Sequence, residues 1–193
     1  GGNGGFVEVS GKRYLDFQGL VNTSAPLGVV GTLLLDPDDL SIVPSTGADL
    51  NFTPTATSPT ATSYTFQTAG TGNSTLKDTT ISAQLSGNNV LIKTTITGSG
   101  GNGDIFFDAS TGAISLTTGG VNQHNLTLEA YRNIEYKGAN YTSVNLAGGV
   151  LTLKAGTSAT GSIIQTGAGA LSLTSADLLL FAVGGVGTSG SPV

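Results

Sequence analysis

Cysteine, methionine and tryptophan are absent from this chain of 193 residues, and histidine occurs once, at His124. Without cysteine there is no disulfide framework and no thiolate metal site, and one histidine cannot build a histidine-rich one. Neither a metal nor a cofactor is expected. Charge is scarce too: Asp, Glu, Lys and Arg make up 10% of residues, against about 25% in an average domain. The seven basic residues are Lys12, Arg13, Lys77, Lys93, Arg132, Lys137 and Lys154, and only the first two are adjacent. With a net charge of −5, this excludes a nucleic-acid partner gripped through its phosphates. Long apolar runs are missing as well. The longest, Leu178-Leu179-Leu180-Phe181-Ala182-Val183, is strand-sized and far short of the roughly 18 residues of a membrane-spanning helix.

What is present is small and polar. Gly, Ser, Thr and Asn supply 89 residues, close to half. That composition alone suggests disorder, but a hydrophobic fraction of 38% and a mean hydropathy of +0.17 are too apolar for a solvated coil. Val, Ile, Leu and Phe fall in short clumps separated by Gly, Asn and Ser, the composition of strands punctuated by turns. The chain opens Gly1-Gly2-Asn3-Gly4-Gly5 without an initiator methionine or a signal-like segment, and closes Gly190-Ser191-Pro192-Val193 just after an apolar clump. Residues 1–193 are therefore expected to be one segment of a longer protein.

A loose repeat runs through the second half. Asp104–Ala109, Asn125–Ala130, Val150–Ala155 and Ala170–Ser175 align, with apolar residues at their second and fourth positions, and start 21, 25 and 20 residues apart. Period-two alternation marks a half-buried strand. A second short strand follows each: Ala113–Leu116, Asn133–Tyr136, Ser162–Gln165 and Leu178–Leu180. A unit of about 20 residues with two or three short strands cannot close a core alone, but stacked copies can. The pattern predicts an all-β parallel β-helix of about 20-residue coils, with 88–193 as its regular part; a β-sandwich is the alternative.

Nearer the N-terminus, Phe6–Val9, Tyr14–Phe17, Val29–Leu35 and Leu40–Val43 read as strands, stopped by Ser10-Gly11 and by Asp36-Pro37-Asp38-Asp39. Residues 44–73 are rich in Thr and Pro and should leave the stack as a loop or an edge hairpin through Tyr64-Thr65-Phe66. Residues 74–87 are ambiguous. Ser74 can cap a short helix ending at Gly87, or Thr79, Ile81, Ala83 and Leu85 can alternate as a strand.

Several segments together carry a family resemblance. Gly4-Gly5-Phe6-Val7-Glu8-Val9-Ser10-Gly11 is followed by Ala25-Pro26-Leu27-Gly28-Val29-Val30-Gly31-Thr32-Leu33-Leu34-Leu35-Asp36-Pro37 and Leu40-Ser41-Ile42. Further on come Leu85-Ser86-Gly87-Asn88-Asn89-Val90-Leu91-Ile92, Gly100–Ile105, Leu126–Ala130 and Asn133-Ile134. The chain resembles filamentous haemagglutinin-type exoproteins, the passengers of two-partner secretion in Gram-negative bacteria. It departs from that pattern with Val9 in place of Thr and Leu33 in place of an aromatic. The resemblance implies a right-handed parallel β-helix, a short helix over 75–86, and a cognate outer-membrane transporter that exports the precursor unfolded to the cell surface. Its motifs are structural and name no active residue.

Candidate sites are few. Polysaccharide-degrading β-helices need converging carboxylates beside a Lys or Arg, and the basic residues here are scattered, so no catalytic residue is assigned. Asp36–Asp39 could hold a hard cation, but Asp and Pro are ordinary turn formers. Gly100–Asp104 is one residue short of a calcium-binding repeat and does not recur. Thr53, Thr55, Thr57, Thr60 and Thr62 cluster in a Pro-interrupted stretch, unlike a stacked ice-binding face. Asn-x-Ser/Thr triplets begin at Asn22, Asn51, Asn73, Asn125 and Asn140, little more than composition gives by chance. His124 reads as an exposed turn residue. The expected role is a shaft segment of a secreted adhesin or extracellular fibre, and not an enzyme. The stalk of a contact-dependent toxin is the alternative, and a polysaccharide-active β-helix a distant third. Unpaired strand edges at the two ends could associate end to end; no receptor is identified.

Overall fold

The computed structural model describes residues 1–11, 15–17, 19–47, 52–53, 65–66, 74–96, 101–118, 124–158, 160–188 and 191–192. These form an all-β chain of mostly parallel sheets with one helix. β1 (Phe6–Ser10) and β2 (Thr32–Asp36) pair side by side in a first sheet, and β3 (Leu40–Val43) turns into a second. β4 (Phe52–Thr53) and β5 (Thr65–Phe66) pair antiparallel with each other. The chain rejoins the second sheet at β6 (Ser74–Lys77), beside β3, and runs into α1 (Asp78–Leu85).

From there it visits first, second and third sheets in turn. β7 (Asn89–Lys93), β8 (Ile105–Asp108) and β9 (Ile114–Thr117) make one circuit, and β10 (Leu126–Ala130), β11 (Ile134–Lys137) and β12 (Thr142–Asn145) the next. β13 (Val150–Ala155), β14 (Ser162–Gln165) and β15 (Leu171–Thr174) follow. β16 (Asp177–Ala182) and β17 (Gly185–Thr188) end the first and second sheets, with β18 (Ser191–Pro192) antiparallel on β17. The first sheet is ordered β1-β2-β7-β10-β13-β16, the second β6-β3-β8-β11-β14-β17-β18 and the third β9-β12-β15.

In-register parallel pairing turns the alternation of each strand into columns. Leu33, Val90, Leu126 and Leu151 stack in one, Leu35, Ile92, Leu128 and Leu153 in another, and all are 0–2% exposed. Ile105, Ile134 and Ile163 form a third column, while Phe107 and Tyr136 stack ring on ring with centroids 4.4 Å apart. Each leucine so buried contributes about 1.5–3 kcal/mol. Outside, Lys93, Glu129 and Lys154 are in register on successive strands, and Lys154 Nζ lies 3.7 Å from Glu129 Oε1. The corners bring successive circuits so close that side chains are excluded. A Cβ on Gly161 would meet Arg132 O at 1.7 Å, and Gly138, at φ +101°, would set one 2.4 Å from the Ala109 carbonyl carbon.

The stacking interval differs from the repeat expected above. Leu126 pairs with Leu151 and Leu151 with Leu178, 25 and 27 residues on, and Ile105, Ile134 and Ile163 are 29 apart. A circuit holds three strands, so the four aligned segments lie on three different sheets: 104–109 on β8, 125–130 on β10, 150–155 on β13 and 170–175 on β15. All strands share one alternation, so similarity along the chain does not label the sheet.

Other boundaries move for tertiary reasons. Leu15 and Phe17 are buried and Asp16 exposed, but 15–17 carries no ladder; the Leu15 N–H donates instead to Ser74 Oγ at 2.8 Å. Ser74 therefore belongs to a strand rather than capping a helix, and α1 starts at Asp78. Val29 is 68% exposed, and its strand begins at Thr32. Of the 44–73 excursion, Gly47 closes a turn on Pro44 and β4 pairs with β5; Tyr64 and the threonines from Thr55 to Thr62 lie outside the described residues, as do Tyr14, Lys12 and Arg13.

α1 occupies the place beside β9 that a further strand of the third sheet would take. The Ser115 N–H donates to Asp78 Oδ2 at 2.8 Å and the Thr117 N–H to Ser82 Oγ at 3.0 Å. On its other side, the Val21 N–H donates to Gln84 Oε1, and Asn88 Nδ2 donates to Val21 O. Side chains of the helix thus take up edge groups that a strand would otherwise pair.

Candidate functional site

The densest polar constellation lies where the chain turns into the second sheet. The Asp104 N–H donates to Asp39 Oδ1 at 2.8 Å, the Asn133 N–H to Asp104 Oδ1 at 2.9 Å and the Ser162 N–H to Asn133 Oδ1 at 3.0 Å. Each side chain accepts from the backbone one circuit further on, making a ladder down the corner. A second ladder enters the first sheet, from Asn125 N–H to Asn89 Oδ1 and from Val150 N–H to Asn125 Oδ1. Asp104 is 3% exposed, and Arg132 grips it with Nε 2.9 Å from Oδ1 and Nη2 on Oδ2. That hydrogen-bonded carboxylate holds the Arg132 guanidinium above its already high ordinary pKa, against partial burial.

This geometry answers the candidates one by one. Asp39 takes both carboxylate oxygens to the Asn102 N–H, at 3.1 Å each, and Asp36 Oδ1 accepts from Thr95 Oγ1 at 2.6 Å. The acidic turn and the Gly101–Asp104 loop therefore join in one structural corner, their oxygens already committed to protein donors. Among the described residues no group of three or more His, Asp or Glu is arranged to hold a metal. Of the triplet asparagines, Asn125 serves in a ladder and Asn140 donates Nδ2 to Ala109 O at 2.7 Å. Asn22 is exposed and accepts from the Ser24 N–H, while Asn51 and Asn73 lie outside the described residues. His124 is half-buried rather than exposed: its Nδ1 donates to Leu85 O, at the C-terminal end of α1, at 2.5 Å.

The ladder residues carry no motif a single strand would reveal. Their signal is an Asp or Asn directly before an apolar strand, in Asp39-Leu40, Asp104-Ile105, Asn133-Ile134, Asn89-Val90 and Asn125-Leu126. It becomes legible once the register is known.

On the second sheet, Asp108 pairs with Lys137 at 3.3 Å, and Lys137 Nζ lies 4.3 Å from the centre of the Phe106 ring. Burial pushes the Asp108 carboxyl up, but hydrogen bonds from Ser110 and the Lys137 charge outweigh it and hold the group below its ordinary value. A lowered folded-state pKa gives stability that is present above the unfolded pKa and lost as pH falls through the folded one. Asp108→Asn should then cost under about 1 kcal/mol at pH 7, as befits a half-exposed pair. Urea denaturation at pH 7 and ~2 should show the gap between variant and parent closing in acid; equal stability at pH 7 would remove this pairing as a contributor.

One cavity of about 320 Å³ opens at the far end of the stack, walled by Leu153, Leu171, Leu173, Leu180 and Val186 and floored by Tyr136. Burial holds the Tyr136 phenol well above its usual pKa, and its hydroxyl finds no hydrogen-bond partner among the described residues. No charged side chain lines the cavity. No protein-family model, no curated protein and no solved structure matches the chain.

Proposed function

We propose that the chain is a segment of a right-handed parallel β-helix, and that it serves as the shaft of a secreted, cell-surface exoprotein of the filamentous haemagglutinin type. In-register pairing across six strands of the first sheet is the observation that carries this reading. A stack built from repeated circuits extends reach in proportion to their number, and each circuit contacts only its neighbours. The polar side chains that could have done chemistry serve the backbone at the corners instead, which suits a spacer. On this reading the precursor reaches the cell surface through its cognate outer-membrane transporter, and a chain without cysteine arrives there with no disulfide to undo.

Two measurements test it. Thr127 and Thr152 are register partners on neighbouring strands, so Thr127→Cys with Thr152→Cys should cross-link within one molecule on mild oxidation. Thr127→Cys with Leu179→Cys, two strands apart at roughly 9.6 Å, should not, because a disulfide needs Cα atoms within about 7 Å. Equal cross-linking of both pairs would sink the stacked arrangement. For the role, the purified chain should leave a panel of polysaccharides intact; hydrolase or lyase activity abolished by removing a pair of its carboxylates would replace the shaft with an enzyme.

A further inference from the structure

The first sheet ends differently from how it runs. Along the two inward columns, leucine, valine and isoleucine are 0–2% exposed from β2 to β13, yet Leu178 and Leu180, in those same columns on β16, are 43% and 40% exposed. Leu179, Phe181 and Val183 continue the apolar patch, and the cavity lies beneath it. β16 therefore presents an open ladder edge and half of a core layer.

What completes it must satisfy three conditions. It must run parallel to β16, offer the opposite ladder edge, and carry two apolar residues two apart facing the core. β1, the other edge of the same sheet, meets all three: Val7 and Val9 lie in the Leu33 and Leu35 columns, and its outer edge is the complement of that of β16. Continuing the register would set Phe6 on Asp177, Val7 on Leu178, Glu8 on Leu179, Val9 on Leu180 and Ser10 on Phe181, with no like charges directly opposite. Neither edge strand contains Pro or Lys, the residues that blunt sheet edges. The second sheet is blunted at both ends, by Lys77 on β6 and by Pro192 on the antiparallel β18.

We propose that β16 of one molecule docks on β1 of a second copy, head to tail, and that the first sheet continues through the junction. The contact is heterologous, so each added copy leaves another free β16, and the product is an open filament instead of a closed dimer. This rests on the stacked reading proposed above.

Light scattering or sedimentation of the chain should show a mean mass that rises past the dimer as concentration increases. Val9→Lys blocks the β1 end and Leu180→Lys the β16 end. Each variant alone should stay monomeric, and an equimolar mixture should double in mass and stop, because its outer ends are both blocked. Dimers of Val9→Lys alone would mean tail-to-tail pairing and overturn the proposal, as would a monomeric parent at every concentration or a mixture that does not associate. The Thr127–Thr152 cross-link, introduced into every sample, separates this from the reading beneath it. Its loss in the parent background condemns the stack, and its retention beside a monomeric parent condemns only the docking. Val7→Lys and Leu178→Lys block the same two ends if either first variant loses the cross-link.

Discussion

Leu128→Ala should lower the stability of the chain by about 3–5 kcal/mol, whereas Leu180→Ala, in the same column, should cost less than about 1 kcal/mol. Leu128 is fully buried, and its register partners are Ile92 on one side and Leu153 on the other. Truncation leaves a cavity between two strands whose spacing is fixed by their ladders, so little collapse can fill it. Leu180 has Leu153 beneath it and is already 40% exposed. Urea denaturation at low protein concentration, where end-to-end contacts are absent, would compare them directly. Equal losses would show that burial in the column is not what holds the circuits together.

Arg132→Ala comes next in size, at about 3 kcal/mol. The arginine is itself 40% exposed, so its own packing is a small part of the effect. The larger part is what it leaves behind: the Asp104 carboxylate, 3% exposed, stripped of its counter-ion in a site that water barely reaches. Asp104 Oδ1 would still accept from the Asn133 N–H, so the corner ladder need not open. Adding Asp104→Asn to Arg132→Ala removes the buried charge while keeping an acceptor oxygen, and the double variant should be more stable than Arg132→Ala alone. A double-mutant cycle by denaturation measures this coupling. Additive losses would mean that the ion pair is an ornament of the corner and that the ladder bonds alone hold it.

The strands themselves were legible because each repeats one instruction: apolar side chains at alternate positions between small corner residues, as in Leu126-Thr127-Leu128. Which sheet a strand joins was not. Ile105-Phe106-Phe107 and Leu151-Thr152-Leu153 alternate alike, and the lengths of the connections, which differ from corner to corner, decide where each falls. Residues 74–87 failed for another reason. Ser74–Lys77 is a strand because β3, more than 30 residues earlier, offers it an edge, and no window around Ser74 contains that information. The helix then begins only after this pairing ends. The corner constellation was half visible: the acidic turn stood out in the sequence, but Asp104, Asn133 and Arg132 acquire meaning only when the circuits are laid on one another.

The outward column of Lys93, Glu129 and Lys154 bears on how such a chain avoids folding wrongly. Inside, Val90 with Ile92, Leu126 with Leu128 and Leu151 with Leu153 are nearly interchangeable, so the core gives β13 little reason to prefer β10 over β7. A chain that looped out one circuit and paired β7 with β13 would keep its apolar columns filled. It would, however, set Lys93 directly beside Lys154, where the correct order sets each lysine beside Glu129. Like charges on neighbouring strands cost up to about 1 kcal/mol and opposite charges gain as much. Three surface side chains thereby carry a count that the core cannot keep, and they bias the order in which identical-looking layers are laid down.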